Sequence, residues 1–295
     1  MRRTTRSAWR LTASTFAAAA LVAACNNSLS PNALSQPEAA SVAEVVTTDV
    51  AALAEGSMFN SANGVPLAIG PMTSAPAMTS SASCTPTKSP ASPTNSDADA
   101  VPDSVRFDFT GCTFVNGNYT GTLGGTIDFI DPTPTTTDFA LKTRYTDFSR
   151  SVTNTVTSQT RSAVENGIRT VSGSSSQLQR TETGFQTVYT FASGATATHV
   201  RTWLATFTAD VAGSIRPDSL PNGNWNLTGT STWTSGALSY SLAVTTNPQL
   251  HFNATCTVEP RLDSGTLTAV VTKSSVVTNV TIQFTACGQY TVTRS

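Results

Sequence analysis

From Val105 to the C-terminus, apolar residues alternate with polar residues at a period of two. This alternation is typical of β-strands that bury one face and expose the other. It differs from the 3.6-residue period of an amphipathic helix. Threonine fills many of the polar positions, and its β-branched side chain suits a pleated, half-solvated surface. The clearest runs are Val105, Phe107 and Phe109; Trp203, Ala205, Phe207, Ala209 and Val211; Leu238, Tyr240, Leu242 and Val244; Leu250, Phe252, Ala254 and Cys256; and Val280, Ile282 and Phe284.

Turn signals separate these runs at short intervals. Asn116-Gly117 and Asn166-Gly167 are typical of two-residue hairpins, in which both central residues need positive φ angles. The glycines of the segment 121–125 lie inside a strand pattern, where glycine marks a bulge or a bend. No stretch after residue 105 has the length of a crossover helix, so the strands are expected to be antiparallel.

We therefore predict a mainly β fold. Residues 105–295 are expected to form one β domain, an antiparallel meander of about ten to twelve strands. A sheet of that size curls or splits into two packed layers. A sandwich and a strongly curved open barrel both fit the pattern.

One N-terminal helix is predicted ahead of this domain, over residues 38–56. The segment has no proline and no glycine before its last residue, and its apolar residues recur at helical spacing. Glu44, Thr48, Asp49 and Glu55 are expected on the polar side of this amphipathic helix. Residues 57–104 are rich in serine and proline and are predicted to form a loop. The apolar positions of the helix are Val42, Val45, Val46, Val50 and Leu53.

The start of the chain has the parts of an export signal. Four arginines and no acid accompany a mainly apolar run of 14 residues over positions 11–24. A membrane-spanning helix needs roughly 20 apolar residues, so this run is too short to be one. Small residues then lead into a cysteine, in the order Leu21, Val22, Ala23, Ala24 and Cys25.

This segment resembles the signal peptides of bacterial lipoproteins, which end in such a lipobox. The resemblance implies that residues 1–24 are removed and that Cys25 carries a diacylglycerol and a further acyl chain such as palmitate. Residues 25–37 then form a lipidated tether, and membrane lipid is the expected partner of Cys25, since two acyl chains anchor a protein stably. Asn26 stands where Asp retains such proteins in the inner membrane, which favours the outer membrane of the cell envelope.

The charge balance argues against a nucleic-acid partner. Removal of residues 1–24 leaves 13 basic and 18 acidic residues. A nucleic-acid-binding domain needs a basic footprint instead.

The remaining four cysteines predict disulfide bonds. An even number of cysteines in an exported chain is typical of disulfide pairing. Phe-Thr-Gly precedes Cys112 and Phe-Thr-Ala precedes Cys287, so the two segments look like two versions of the same structural element. We therefore expect the pairs Cys84–Cys112 and Cys256–Cys287.

An acidic segment before the β domain is a candidate calcium site. Asn95, Asp97, Asp99 and Asp103 place oxygen ligands at spacings that a calcium loop uses. The segment resembles the Asp-x-Asp-x-Asp-Gly-x-Pro-Asp calcium repeats of secreted proteins, although Ala100 replaces the turn glycine. The alternative is an Asp-rich loop that leads into a strand. No other cofactor is expected.

Catalytic signatures are sparse. The chain has two histidines, His199 and His251, and no Gly-x-Ser-x-Gly motif. His199 is expected on the surface, and a hydrolase would need either histidine beside a serine and a carboxylate. Basic residues between positions 138 and 201 are expected to protect sheet edges or to bind an anionic ligand. These residues are Lys142, Arg144, Arg150, Arg161, Arg169, Arg180 and Arg201.

These features together predict a membrane-anchored envelope lipoprotein that is not an enzyme. It is expected to act as a structural or interaction module, with an envelope protein or a polysaccharide as its partner. The alternative is a carrier or chaperone that binds an apolar or lipid ligand within a curved β-sheet. The interaction module and the carrier differ in whether the sheet encloses free space for a ligand.

Overall fold

The computed structural model describes residues 33–55, 81–82, 85–99, 101–216, 219–236, 238–258 and 260–295. The predicted signal peptide, Cys25 and Cys84 lie outside these residues. Within the described residues, no helix combines the length and the apolar character that crossing a membrane requires. The elements are α1 (Gln36–Glu55), β1 (Ser81–Ala82), β2 (Thr87–Ser89), β3 (Ser104–Asp108), β4 (Cys112–Asn116), β5 (Tyr119–Ile130), β6 (Leu141–Asn154), β7 (Gln159–Gly173), β8 (Gln177–Thr190), β9 (Thr196–Ala209), β10 (Gly223–Ser235), β11 (Leu238–Thr246), β12 (Leu250–Phe252), β13 (Leu262–Lys273), β14 (Val276–Ala286) and β15 (Gln289–Arg294).

The strands form one continuous antiparallel sheet. Its order is β1-β4-β5-β6-β7-β8-β9-β10-β11-β13-β14-β15, with β12 paired to β10 and β13, and with β2 and β3 joined beside β5. Chain neighbours are sheet neighbours from β4 to β11, which confirms the predicted antiparallel meander and its N-terminal helix. The described residues hold fifteen strands, more than predicted. Two of them, β1 and β2, lie inside the segment 57–104, so the prediction that this segment is entirely loop was wrong, because strands of two and three residues show no alternating pattern.

Helix α1 begins with a capping box. The Ser35 hydroxyl accepts a hydrogen bond from the Glu38 amide at 3.4 Å, and the Glu38 carboxylate accepts one from the Ser35 amide at 2.7 Å. These reciprocal bonds satisfy two amides that the first helical turn leaves without partners. The helix therefore starts at Gln36, two residues before the predicted start, since Pro37 is tolerated in a first turn.

The sheet curls around helix α1. Buried side chains between positions 42 and 50 cover about 200° of the helix surface at 100° per residue, whereas packing on one flat layer needs roughly 100°. Asp49 lies against β9, Glu38 accepts a hydrogen bond from Lys273 of β13, and the Leu34 amide donates to Thr278 of β14. The buried residues are Val42, Ala43, Val45, Val46, Thr47, Asp49 and Val50. The placement of Asp49 on the polar side was therefore wrong.

A row of bulges bends the sheet. The register shifts between Gly124 and Thr126 where β5 meets β6, and similar shifts follow in the pairs β6–β7, β7–β8 and β8–β9. Bulges increase local twist and bend a strand. Gly125 has a φ of 75°, in the left-handed region, which confirms the bend predicted for the segment 121–125.

The two Asn-Gly pairs lie in different kinds of structure. Asn116 pairs with Tyr119 across a two-residue turn, and Gly117 has a φ of 55°, as predicted for a hairpin. Asn166-Gly167 instead lies inside β7, so that hairpin prediction was wrong. A Cβ at Gly167 would lie 3.0 Å from the Cα of Phe185, so this glycine serves a bulge and a close strand approach.

The disulfide between Cys256 and Cys287 is present, with Cα atoms 5.7 Å apart. It ties the loop after β12 to the turn after β14. Cys112 is also disulfide-bonded. Its predicted partner, Cys84, lies outside the described residues.

The sheet has two distinct ends. The proximal end holds Leu34, the β13–β14 turn and the C-terminus, because Leu34 contacts Thr278 and Arg294. The distal end holds the β5–β6 loop, the β9–β10 loop and the Cys256–Cys287 disulfide. Helix α1 enters at the proximal end and runs toward the middle of the sheet, where Asp49 lies.

Replacing Gly125 with alanine should destabilise the fold by roughly 3 kcal/mol, because the new Cβ adds both backbone crowding and a left-handed penalty. That Cβ would lie 2.1 Å from the backbone oxygen of Asp147. Gly184→Ala is the matched control, since Gly184 also has a positive φ but open space around it. The control should lose about 1 kcal/mol. Urea unfolding of both variants measures the difference, and equal losses would contradict this account of the bend.

Candidate functional site

A group of charged side chains lies inside the curled sheet beneath helix α1. We call it the ionic network: Asp49 from α1, Arg169 from β7, Glu182 from β8, and His199 and Arg201 from β9. Arg201 donates through Nε to Glu182 Oε2 at 2.6 Å, and its Nη1 lies 3.2 Å from Asp49 Oδ1. Arg169 donates through Nε to Glu182 Oε1 at 2.8 Å. Two carboxylates therefore face two guanidinium groups, and Arg201 joins the helix to the sheet.

Two carboxylates and two guanidinium groups of the network stay ionised inside the sheet. Burial disfavours the charged form of Asp49, but the charges of Arg201 and then His199 outweigh it and lower the pKa of Asp49. Burial opposes ionisation of Glu182 in the same way, and Arg201 and Arg169 together lower its pKa. The neighbouring carboxylates also outweigh burial at Arg169 and Arg201 and raise both pKa values. Opposite charges are thus the reason that these two carboxylates and two guanidinium groups stay charged.

Aromatic rings enclose these charges. The Arg201 guanidinium carbon lies 4.6 Å from the centroid of the Phe185 ring, and Arg169 stacks on the same ring at 5.4 Å. His199 lies beside Trp203 and Trp233, with centroids 6.3 and 5.8 Å away. Such cation–π contacts stabilise desolvated guanidinium groups, and the rings exclude water from the network.

His199 lies beside the Asp49 carboxylate but is closed off from solvent. Its Nδ1 lies 2.8 Å from Asp49 Oδ2, but neither atom makes a hydrogen bond within the described residues. His199 is fully buried, and its Nε2 also has no hydrogen-bond partner among these residues. Ser231 lies beside Arg201 in the sheet, and its hydroxyl makes no hydrogen bond to His199. The role that this geometry supports is to hold helix α1 in place.

The structure corrects two sequence predictions at this site. His199 was expected on the surface, yet it is buried, and Arg150, Arg180 and Arg201 are buried rather than placed along sheet edges. Arg150 pairs inside with Glu165. The signal was present in the sequence, because His199 and Arg201 fall in phase with the buried run that continues through Trp203.

A second site lies in the loops of the distal end. One carboxylate oxygen from each of Asp97, Asp99 and Asp131 lies within 4.8 Å of the other two. Asp138 is close enough to act electrostatically on Asp99. We call these four residues the aspartate cluster. The segment before β3 supplies Asp97 and Asp99, and the β5–β6 loop supplies Asp131 and Asp138.

The other two predicted calcium ligands are placed differently. Both Asp103 oxygens accept hydrogen bonds, from the Ser96 amide at 2.8 Å and from the hydroxyls of Ser96 and Thr94 at 2.6 and 2.7 Å. These bonds lower the pKa of Asp103 and fasten the loop. Asn95 lies in that loop and is exposed. Asp131 and Asp138 were not predicted as members of the site.

The electrostatics of the aspartate cluster are unfavourable. Burial raises the pKa of Asp99, against the effect of a hydrogen bond from the Val101 amide. The charges of Asp97, Asp131 and Asp138 raise it further. The site therefore gathers the negative charge of four carboxyl groups.

The remaining histidine lies in a clamp at the same end. His251 Nδ1 is 2.7 Å from Asp263 Oδ1, and its Nε2 is 3.1 Å from Asp210 Oδ2. Burial lowers the pKa of His251, but hydrogen bonds to Asp263 and Asp210 outweigh this and raise it. Both ring nitrogens face carboxylates, so His251 links β12, β13 and the β9–β10 loop.

The fold and these sites define a class: an all-β protein in which one curled sheet encloses a helix that buried charges hold. Comparison with protein-family models, with curated proteins and with solved structures finds no match for this chain.

Glu182→Gln should destabilise the protein by roughly 3–5 kcal/mol, because it leaves a buried guanidinium without a full counter-charge. Glu44→Gln makes the same change at a half-buried position of helix α1 and should cost clearly less, because water screens a charge at that position. Urea unfolding near neutral pH compares the two variants. Equal stabilities would show that the network does not act as paired charges.

His251 should make stability depend on pH. Because the folded-state pKa lies above the usual value of about 6.5, protonated His251 stabilises the fold below that pH. The contribution is lost as the pH rises through the folded pKa. The stability gap between wild type and His251→Gln should be about 1 kcal/mol or less, and larger near pH 5.5 than near pH 9. Urea unfolding at both pH values measures the gap, and a gap that is constant or grows with pH contradicts this sign.

Proposed function

We propose that this chain is a lipid-anchored protein of the cell envelope that acts as a non-enzymatic structural or interaction module. The lipobox that ends at Cys25 supports the anchor, and Asn26 supports the outer membrane as its location. The curled sheet is the part that the anchor would present.

The observation that carries this proposal is the fixation of Leu34 at the proximal end. The Leu34 amide donates to the Thr278 hydroxyl at 3.3 Å, and Arg294 donates to the Leu34 carbonyl. Nine residues of chain from Cys25 to Leu34 reach roughly 30 Å at most. An acylated Cys25 would therefore hold the proximal end within that distance of the membrane and direct the distal end away from it.

The interior supports a surface role rather than a carrier role. A carrier needs free space inside its sheet for an apolar ligand. Here the ionic network and helix α1 occupy the inner face from β7 to β15, and Ala39 and Ala43 of the helix are fully buried against the core. Release of the helix would leave Arg201 without Asp49. The observed packing thus favours the module over the alternative of a lipid carrier.

The histidine sites support a non-enzymatic role. His199 is sealed from solvent, and both nitrogens of His251 face carboxylates. The expected partner is an envelope protein or a polysaccharide, met by the polar loops of the distal end. The excess of acidic residues over basic ones argues against nucleic acid.

Cells that express the wild-type chain should incorporate labelled palmitate into it, and the protein should fractionate with membranes. Cys25→Ala should abolish the label, because the thiol that receives the diacylglycerol is gone. When a signal peptide of the general secretory type replaces residues 1–24, the same substitution should release the protein into the soluble fraction. Asn26→Gln is the control and should keep the label. A labelled, membrane-bound Cys25→Ala protein would refute the anchor.

A further inference from the structure

We propose that the aspartate cluster is a calcium-binding site, with Asp97, Asp99 and Asp131 as direct ligands and Asp138 beside them. The site lies at the distal end and is independent of the lipid anchor. It differs from the set that sequence spacing predicts, since it draws half of its carboxylates from the β5–β6 loop.

Unsatisfied buried oxygens point to a bound cation. Asp131 is only 3 % exposed. Its Oδ1 accepts hydrogen bonds from the amide and the hydroxyl of Thr133 at 2.8 and 3.3 Å, whereas its Oδ2 is buried and has no hydrogen-bond partner among the described residues. Oδ2 of Asp97 and Oδ1 of Asp138 are also buried without one. Buried carboxylate oxygens with no donor are costly, and a cation among them removes that cost.

The chemistry of the site selects calcium. The cluster offers only carboxylate oxygens, which are ligands of hard cations, whereas zinc sites favour nitrogen and sulfur. The three carboxylate oxygens lie within 4.8 Å of one another, close enough for one ion to contact all three. Calcium accepts irregular sets of six to eight oxygens, whereas magnesium demands near-octahedral geometry, so a set drawn from two loops suits calcium.

The local structure already holds the two loops together. Ala98 has a φ of 61°, so the chain turns sharply between Asp97 and Asp99. The Thr137 hydroxyl donates to the Asp97 carbonyl at 3.1 Å, and the Asp131 amide donates to the Asp103 carbonyl at 3.2 Å. A calcium ion would therefore cross-link two segments that are already aligned. It would also relieve the repulsion among four carboxylates.

Calorimetric titration of the full mature chain in detergent, after dialysis against EGTA, tests the site with calcium chloride. One ion per chain should bind, and a 100-fold excess over the dissociation constant should raise Tm by about 5 °C or more. Magnesium chloride at the same concentration should give less than half of that shift. Absence of binding heat and of any Tm shift at millimolar calcium overturns the proposal, and an equal or larger magnesium shift overturns the choice of ion.

Charge-removing variants separate a lost ligand from a damaged fold. Asp131→Asn and Asp97→Asn should weaken calcium binding on the order of tenfold or more. In EGTA, both should be as stable as wild type or more so, because one repelling charge is gone. Misfolding would instead lower Tm in EGTA. Asp103→Asn is the matched control and should keep at least half of the calcium-induced Tm shift. Unchanged calcium affinity in Asp131→Asn and Asp97→Asn would overturn the assignment.

Discussion

The contact of Arg201 with Asp49 and Glu182 fixes helix α1 against the sheet. Arg201 is 2 % exposed, and a buried cation that loses its partners costs several kcal/mol. Its guanidinium joins a carboxylate of the helix to a carboxylate of the sheet. Separating helix α1 from the sheet would therefore leave a buried charge without one of its partners. Small side chains on the helix allow the close approach, and the sheet curls to cover them. The position of the helix then determines which end of the sheet the N-terminal tether approaches.

The alternation of apolar and polar residues was sufficient to predict most of the strands and their antiparallel order, and helical spacing predicted the helix ahead of them. The alternation left open whether the sheet splits into a sandwich or curves into an open barrel, because curvature depends on how strands meet. Asn116-Gly117 and Asn166-Gly167 have the same local preference for positive φ, yet one pair closes a hairpin and the other lies inside β7. Gly167 faces the backbone of Phe185, a contact across strands that no local pattern contains. The burial of Arg201 had a local sign, since it falls in phase with Trp203 and Phe207.

The aspartate cluster could likewise be predicted only in part, because local sequence spacing identifies some of its residues and strand pairing brings in the others. Asp97 and Asp99 could be proposed as ligands because their spacing is local. Asp131 and Asp138 could not, because only the pairing of β3 with β5 brings the β5–β6 loop beside the segment before β3. Asp103 has the right spacing as well, but Ser96 and Thr94 occupy its oxygens. A carboxylate that accepts three hydrogen bonds from its own loop has little left to offer a cation.

The proximal and distal ends of the sheet differ in the charges that they carry. Lys273 and Arg294 lie at the proximal end, each bound to the start of the helix segment, while the aspartate cluster lies at the distal end. The surface potential of an anionic membrane falls off within about 10 Å at physiological salt. The proposed anchor at Cys25 would hold the proximal end near the membrane, and the length of the strands would then separate the acidic loops from lipid charge. On that proposal, the loops that gather four carboxylates would lie where the membrane does not add to their repulsion, and where a soluble cation or a partner can reach them.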